Sequence, residues 1–205
     1  MRNERRDESG HLVHLESKPA TFADVVDAES AGLVLVRRIE QLRVELPLSV
    51  ADTTLDIRPF RLGIDDQTFL ALNNRAFAWH PDQAGWTLQQ LQERCAEPWF
   101  DAEGFLLHEL EGKLAGFCWT KIHPATATED EIGEIFIIAV DPEFHGQGLG
   151  RALTLAGLNF LHRQSVDVGM LHVEHVNIAA KTLYRDLGFI EYDAHCWWSL
   201  PEVGE

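Results

Sequence analysis

Apolar and polar positions change their spacing several times along the chain, and each change predicts a separate element. Two apolar β-rich runs at 105–110 and 114–122 are separated by Glu111-Gly112-Lys113, which predicts a hairpin. Thr87, followed three residues later by Gln90, is a capping pair that predicts the start of a helix. The other elements predicted between residues 55 and 132 are a strand at 56–59, a helix at 65–77 and loops at 81–85 and 123–132.

The stretch from Gly133 to Ala156 carries the most specific local pattern. An apolar β-rich run at 135–140 is stopped by Asp141-Pro142, because proline has no N–H to donate to a strand ladder. Glycines at 146, 148 and 150 then form a turn that opens into a helical pattern, and they let the backbone pass close to a ligand. The first N–H groups of that helix point into the turn, with the positive end of the helix dipole behind them. The stretch therefore predicts an anion site, most often for a phosphate.

The last part of the chain predicts a short strand at 170–173, a helix that is capped by Asn177 and ends at Gly188, and final strands at 189–200. From residue 55 onward the order is β-α-α-β-β-β-α-β-α-β-β. Helices and strands alternate irregularly, which predicts a mixed α/β fold.

The first part of the chain has a different character. Residues 1–20 are polar, charged and aperiodic, which predicts a mobile arm. Thr21 caps a predicted short helix that ends at Gly32, a β-rich run follows at 33–46, and residues 49–54 are a predicted linker.

The amino-acid composition limits the kinds of molecule that this chain is expected to bind. The chain has 33 acidic and 17 basic residues, for a net charge of −16. This charge repels nucleic acid and anionic membrane surfaces, and it suits a cationic or amine-bearing substrate. No apolar segment has the length of a secretion signal or a membrane span, and the three cysteines lack the spacing of a metal site. We therefore expect a cytoplasmic protein with reduced thiols and no metal.

The glycine-rich turn distinguishes between families of phosphate-binding protein. Its spacing is G-x-G-x-G, so the dinucleotide fingerprint G-x-G-x-x-G fails at Arg151, and no Gly-Lys-Ser/Thr follows to make a P-loop. The turn resembles the pyrophosphate loop of the GNAT N-acetyltransferases, Gln/Arg-x-x-Gly-x-Gly/Ala, with His145 at its first position. This resemblance implies acetyl-CoA as cosubstrate and a central, mostly antiparallel sheet with flanking helices. The residues it assigns to the cosubstrate are Ile138, Ala139, Val140, His145, Gly146, Gln147, Gly148, Leu149, Gly150 and Arg151.

Acetyl transfer to an amine needs a base for the ammonium, a donor that polarises the thioester and an acid for the departing thiolate. Glu134, at the start of an otherwise apolar strand, is the base candidate, since a partly desolvated carboxylate is a better base near neutrality. Tyr184 is the acid candidate, because a phenol with a pKa of about 10 can protonate a thiolate. The structural alternatives are a solvated strand-end charge for Glu134 and a helix aromatic that packs on Phe189 for Tyr184.

The run from Asn177 to Phe189 reads N-x-x-A-x-x-x-Y-x-x-x-G-F, which resembles a second GNAT signature. This resemblance supports Tyr184 as the acid and implies that Asn177 and Ala180 also contact the cosubstrate. It further implies direct attack of a primary amine within a ternary complex.

Three further runs, at 73–87, 97–101 and 116–123, are very similar to the mycothiol synthase family within the GNATs. That family acetylates the cysteinyl amine of cysteinyl-glucosaminyl-inositol. Carried over by position, Asp82, Lys121 and His172 are substrate contacts, although His172 stands where the family has tyrosine. The acceptor is therefore expected to be a small-molecule amine, whose identity the sequence leaves open.

The family has two tandem GNAT domains, whereas residues 21–47 resemble only the tail of the first. Gly32–Pro47 and Gly188–Pro201 both follow a short helix, begin with glycine and an apolar residue, and end at proline. The implied organisation is a flexible arm at 1–20, a remnant of an N-terminal GNAT-like domain with its linker at 21–54, and a GNAT domain at 55–205.

Several interpretations stay open at this point. The chain is expected to be an N-acetyltransferase, either mycothiol synthase itself or an enzyme with another amine acceptor. The alternatives are a non-catalytic acetyl-CoA-binding module and a dimerising scaffold that uses the β-rich run Leu33–Leu46 as an added strand. Monomer and homodimer are both compatible with the sequence.

Overall fold

The computed structural model describes residues 1–49 and 53–201. Contacts between Cα atoms divide the chain into a central unit, residues 45–170, and a terminal unit, residues 1–44 and 171–205. The helices are α1 (Phe22–Ser30), α2 (Asp66–Ala76), α3 (Leu88–Cys95), α4 (Leu149–Arg163) and α5 (Ile178–Asp186). The strands are β1 (Arg2–Arg6), β2 (Leu12–Ser17), β3 (Val34–Glu45), β4 (Arg58–Pro59), β5 (Phe105–Leu110), β6 (Lys113–His123), β7 (Ile132–Val140), β8 (Val168–Glu174) and β9 (Ile190–Ser199).

In the central unit, strands β7, β6, β5 and β4 lie side by side in that order, and each neighbouring pair is antiparallel. β5 and β6 form the predicted hairpin. Its two turn residues, Glu111 and Gly112, both have left-handed backbone, which is the geometry that a tight hairpin turn needs. The register between β6 and β7 shifts so that Phe136 is the extra residue of a β-bulge.

The core of the central unit is an aromatic cluster from α2 and the sheet. Phe105 and Trp119 stack with their ring centroids 4.3 Å apart, and Phe69 meets Phe105 edge-on at 5.0 Å. All three side chains are fully buried, so this cluster holds α2 against the strands.

Helix α4 approaches β6 and β7 closely at glycine positions on both the helix and the strands. A Cβ on Gly157 would lie 2.5 Å from Cys118 Sγ, and one on Gly116 would lie 2.6 Å from the Leu153 side chain. Gly157 therefore lowers helix propensity but permits an approach that any side chain would block.

In the terminal unit the strand order is β1-β2-β9-β3-β8, and the boundary between the units falls inside β8. β9 pairs antiparallel with both β2 and β3. Helix α1 contributes Ala28 to a cluster with Leu15 and Trp198, so one face of this sheet is covered.

The predicted mobile arm at residues 1–20 is wrong. These residues form the β1–β2 hairpin, and β2 pairs with β9 through its backbone. Leu12, Leu15 and Ser17 are buried. A composition rich in charge does not indicate such pairing, because the partner strand lies far away along the chain, with Ser17 paired to Cys196.

Most predicted elements are confirmed, with shifts at their ends, but the final strands predicted at 189–200 are one strand, β9. Thr21 and Thr87 each form a capping box, with Asp24 and Gln90 respectively. β4 is shorter than the predicted strand at 56–59, and the predicted loop at 123–132 is shorter because β6 and β7 extend into it. Part of the predicted linker lies outside the described residues, and the assignment of domains stays a prediction.

The start of α2 supplies a prediction about stability. The buried Asp65 carboxylate accepts two hydrogen bonds from the Arg58 guanidinium, at 2.8 and 2.9 Å, and one from the Arg61 N–H at 2.8 Å. Burial raises its pKa, but the hydrogen bonds from Arg58 and Arg61 outweigh this and lower the pKa from 3.8 to about 2. The stabilisation is therefore complete above pH 3.8 and is lost as the pH falls towards 2.

We expect Asp65→Asn to lower the free energy of unfolding by about 1.5–3 kcal/mol at neutral pH, because it weakens hydrogen bonds to a charged group. Urea unfolding at several pH values measures this, and the difference from the wild type should shrink below pH 3.8. Asp56→Asn, at an exposed position, is the control and should change little. A difference for Asp65→Asn that does not depend on pH would contradict the assignment.

Candidate active site

The first half of β7 presents a buried carboxylate. Glu134 is 8% exposed, and its Oε2 accepts a hydrogen bond from Nε2 of His123 at 2.7 Å. His123 lies at the end of β6, two residues beyond Lys121, which pairs directly with Glu134. Glu134 is therefore not the solvated strand-end charge of the structural alternative; it is a buried acceptor held by an imidazole donor.

His123 is a candidate site residue that the sequence does not single out, because the predicted loop at 123–132 begins with it. The signal that indicates His123 is the alternation of side chains between the two faces of a strand. Residues two apart on a strand share a face, so a strand extended to His123 puts its side chain beside that of Lys121.

An aromatic wall, formed by Trp99 and Phe136, lies beside Lys121, which pairs with Glu134 across the two strands. Lys121 Nζ lies 4.6 Å from the centre of the Trp99 ring and 5.7 Å from that of Phe136. The two rings meet edge-on, with centroids 5.0 Å apart. Aromatic faces attract cations, so the wall holds the Lys121 ammonium in place.

The second half of β7 carries the residues predicted to polarise the thioester. The Asp141 N–H donates to the Ala115 carbonyl of the β6 side at 2.9 Å. In an antiparallel ladder successive residues direct their N–H groups to opposite sides, so those of Ile138 and Val140 point away from β6. The N–H of Ala139 points towards β6, so of these three predicted cosubstrate residues only Ile138 and Val140 direct their N–H groups away from that strand.

The turn after β7 is anchored on both sides. The buried Asp141 carboxylate accepts hydrogen bonds from the Glu143 N–H and from the Arg75 guanidinium of α2. Burial raises the pKa of Asp141, but the Arg75 hydrogen bond and the Glu143 N–H outweigh this and lower it. Phe144 and Leu149 are buried on either side of the glycine-rich residues, so both ends of the loop are fixed.

Between these anchors the backbone is open. Gly146 and Gly148 have φ of 79° and 78°, and nothing lies within 4 Å of the Cβ that either would carry. Gly148 is the N-cap of α4, and no described side chain caps this helix. An exposed, uncapped helix N-terminus behind two left-handed glycines fits an anion such as a diphosphate. Gly150 lies inside α4, so only the first two glycines need their conformational freedom here.

The side chains of this loop have different environments. His145 Nε2 donates to the Val140 carbonyl at 3.1 Å, so the ring braces the loop against the end of β7. Gln147 and Arg151 are exposed, and Arg151 lies in the first turn of α4. While this hydrogen bond is made, Nε2 of His145 is engaged with the protein's own backbone.

In the terminal unit, helix α5 carries the other predicted cosubstrate residues. Asn177 is its N-cap, and its side chain accepts the Ala180 N–H at 3.2 Å. Tyr184 is 7% exposed, and its ring lies 5.6 Å from that of Phe189. The predicted helix cap and the predicted packing partner of Tyr184 are both confirmed. The contacts of Asn177, Ala180 and Tyr184 with a cosubstrate stay predictions.

The remaining predicted substrate residues lie on exposed positions. Asp82 is in the loop after α2, where its N–H donates to His80 Nδ1 at 3.1 Å. His172 is on β8, and its Nε2 lies 3.3 Å from the Gln41 side-chain nitrogen. Their roles towards an acceptor stay predictions.

The three cysteines are free in the structure. Burial raises the pKa of Cys95 and of Cys118 to about 12, so neither is a thiolate at neutral pH. Among residues 1–49 and 53–201 no group of His, Cys, Asp and Glu side chains is arranged to hold a metal ion. No helix in the described part of the chain is long and apolar enough to span a bilayer.

Comparison with known proteins decides the family. The model of the acetyltransferase (GNAT) family matches residues 72–189, which is more than half of the chain. The chain belongs to the GNAT acetyltransferase family. This confirms the resemblance that the loop at 145–151 suggested, and with it the predicted fold class.

Among its relatives are GNAT proteins named mycothiol acetyltransferase. The one from Acidimicrobium ferrooxidans is 44% identical over 89% of this chain, and the one from Segniliparus rotundus is 42% identical over 89%. The chain spans 61% of the length of the first relative and 71% of the second. The narrower resemblance is therefore confirmed at the level of sequence similarity.

Solved structures show the same GNAT fold. A GCN5-related N-acetyltransferase from Sphaerobacter thermophilus has a TM-score of 0.68 at 22% identity, over 88% of this chain and 56% of that one. A tandem GNAT protein from the clavulanic acid biosynthesis pathway has a TM-score of 0.58 at 17% identity, over 91% of this chain and 60% of that one. At such identities the likeness concerns the fold alone.

Proposed function

We propose that this chain transfers the acetyl group of acetyl-CoA to a primary amine, with Glu134 as the general base. The observation that carries the proposal is the buried Glu134 carboxylate, which is hydrogen-bonded to His123 Nε2 at 2.7 Å. A base in this setting is held in one orientation and removed from bulk water, and both conditions favour proton abstraction from an ammonium.

The other roles follow from the chemistry of the reaction. Acetyl-CoA supplies the thioester when it is bound. The loop from Gly146 to Arg151 would hold its diphosphate through the N–H groups at the start of α4. The N–H of Ile138 would donate to the carbonyl oxygen as negative charge develops there, and one such donor contributes about 2.7–4 kcal/mol to lowering a barrier. Tyr184 would give its proton to the departing CoA thiolate.

The acceptor is proposed to be an amine of the mycothiol precursor type, cysteinyl-glucosaminyl-inositol. Two features support this choice: the 42–44% identity to proteins named mycothiol acetyltransferase, and the Lys121 ammonium, which can donate to hydroxyl or carbonyl oxygens of such a substrate. Asp82 and His172 are proposed to contribute further polar contacts.

The proposal is tested by following CoA thiol release from acetyl-CoA with a panel of amines. The panel contains cysteinyl-glucosaminyl-inositol, free cysteine derivatives and simple sugars with an amino group. We expect release to depend on an amine and to be fastest with the first compound. Tight acetyl-CoA binding in calorimetry without turnover on any amine would instead identify a non-catalytic binding module.

The loop provides a prediction about cosubstrate affinity. We expect Gly148→Ala to weaken acetyl-CoA binding about tenfold or more, because a methyl group enters the open space and the left-handed backbone becomes strained by about 1–2 kcal/mol. Calorimetric titration with acetyl-CoA measures the loss. The control is Gly112→Ala in the β5–β6 turn, where φ is 74° and the space around the Cβ is also open. It carries the same strain, so unchanged affinity there assigns the loss to the loop, and equal losses would contradict it.

A further inference from the structure

Strand β3 contains a buried carboxylate that the proposed reaction does not use. Glu40 is 3% exposed, near the middle of β3. A buried charge without partners is strongly unfavourable, so the residues that neutralise Glu40 show which elements this carboxylate connects.

Two of its partners belong to the region that leads into α5. Glu40 Oε1 lies 2.8 Å from Lys181 Nζ and 2.6 Å from His175 Nδ1. Lys181 is on α5, one turn before Tyr184, and His175 lies in the connection between β8 and α5, two residues before the cap Asn177. A third partner, Arg38 Nε, lies 3.3 Å away and comes from β3 itself.

A side chain on the other face of β3 also binds the residues between β8 and α5. The Arg37 guanidinium donates to Glu174 Oε1 from Nε at 2.9 Å and from a terminal nitrogen at 2.6 Å. The His175 N–H also donates to the Arg38 carbonyl at 2.9 Å. Arg37 and Glu40 are three residues apart on a strand, so they project to opposite faces. β3 therefore binds α5 and the residues that lead into it, through side chains on both of its faces and through its backbone.

The charges make this attachment persistent at neutral pH. Burial raises the pKa of Glu40, but the hydrogen bonds from His175 and Lys181 outweigh this and lower it. Arg38 is itself paired with Glu191, and Arg185 of α5 lines the same cavity as Glu40 and Lys181. Glu40 is thus a carboxylate across the neutral range, paired with cations from the elements that it joins.

We propose that β3 contributes to acetyl transfer by positioning helix α5. Glu40 is the positioning residue for this helix and so for Tyr184. The inference rests on the proposed role of Tyr184 as the acid. It assigns a task to a strand within residues 21–54, which the sequence alone suggested to be a domain remnant. A carboxylate fixed to Lys181 limits the movement of the helix turn that carries the phenol.

The test is the kcat for acetyl-CoA and an accepted amine in Glu40→Gln, made in both the wild-type and the Tyr184→Phe backgrounds. We expect Glu40→Gln to lower kcat by about 10-fold to 10²-fold in the wild-type background, because misplacement of a catalytic group by about 1 Å has an effect of this size. In the Tyr184→Phe background the same substitution should change kcat by less than about twofold, since no acid is left to position.

Glu191→Gln is the matched control, because it also removes an ion pair with Arg38 but makes no described hydrogen bond to α5. Its kcat should equal that of the wild type. Lys181→Met, at a partly exposed position, is the second variant and is used in the same way if Glu40→Gln does not fold.

An unchanged kcat in Glu40→Gln, or an equal loss in both backgrounds, would overturn the inference, because a merely structural role does not depend on Tyr184. Absence of amine-dependent turnover in the wild-type protein would instead overturn the proposed function itself. The two failures are therefore distinguishable.

Discussion

Glu134→Gln should lower kcat by about 10²-fold to 10⁴-fold, the usual contribution of a general base, while the KM for acetyl-CoA changes little. Glutamine has nearly the same shape, and its side-chain oxygen can still accept the hydrogen bond from His123 Nε2. It cannot take a proton from the ammonium. Steady-state CoA release at saturating acetyl-CoA, with the best amine of the panel, measures the loss.

The matched control for this variant is Glu131→Gln, three residues earlier on an exposed position. It makes the same chemical change without a buried carboxylate, so its kcat should equal that of the wild type. If Glu134→Gln retained full kcat while remaining folded, the role of Glu134 as the base would be refuted. His123 would then be holding a carboxylate of purely structural value.

Tyr184→Phe is the second variant with a large expected effect. It should lower kcat by about 10²-fold to 10⁴-fold, because CoA would leave as an unprotonated thiolate. The ring remains, so the contact with Phe189 at 5.6 Å is kept and the fold should change little. The measurement is kcat at saturating substrates, together with the thermal unfolding midpoint.

The chain contains two tyrosines, and the other one supplies the control. Tyr192 is 59% exposed on β9, whereas Tyr184 is 7% exposed, so Tyr192→Phe removes an equivalent hydroxyl at a position with no proposed catalytic role. Its kcat should equal that of the wild type. Equal activities of the two variants would remove Tyr184 from the mechanism and leave it as the packing residue of the structural alternative.

The similarity between Gly32–Pro47 and Gly188–Pro201 has a structural counterpart. α1 and α5 are both nine-residue helices, each is followed by a glycine with left-handed backbone, and β3 and β9 follow these glycines. The two strands pair antiparallel with each other in the terminal unit. The repeated pattern was therefore readable from local signals, although the pairing of the two copies was not.

Local chemistry determined a large part of this protein from its sequence. The capping boxes at Thr21 and Thr87, the cap at Asn177 and the break at Pro142 each depend on residues within one turn of one another. The left-handed Gly146 and Gly148 belong to the same class, since only the backbone of a few residues is involved. For this reason most of the element order, the glycine-rich loop and the family could be predicted.

Contacts between residues far apart along the chain decided the rest. The pairing of β2 with β9 makes a polar, charged segment into a strand and buries its Leu12, Leu15 and Ser17. Glu40 is buried because Lys181, 141 residues away, neutralises it, and Glu134 is held because the strand carrying His123 continues beside it. Whether a charged side chain is exposed or lies at the centre of a site depends on such distant partners. A local sequence pattern cannot predict them, because they come together only when the chain folds.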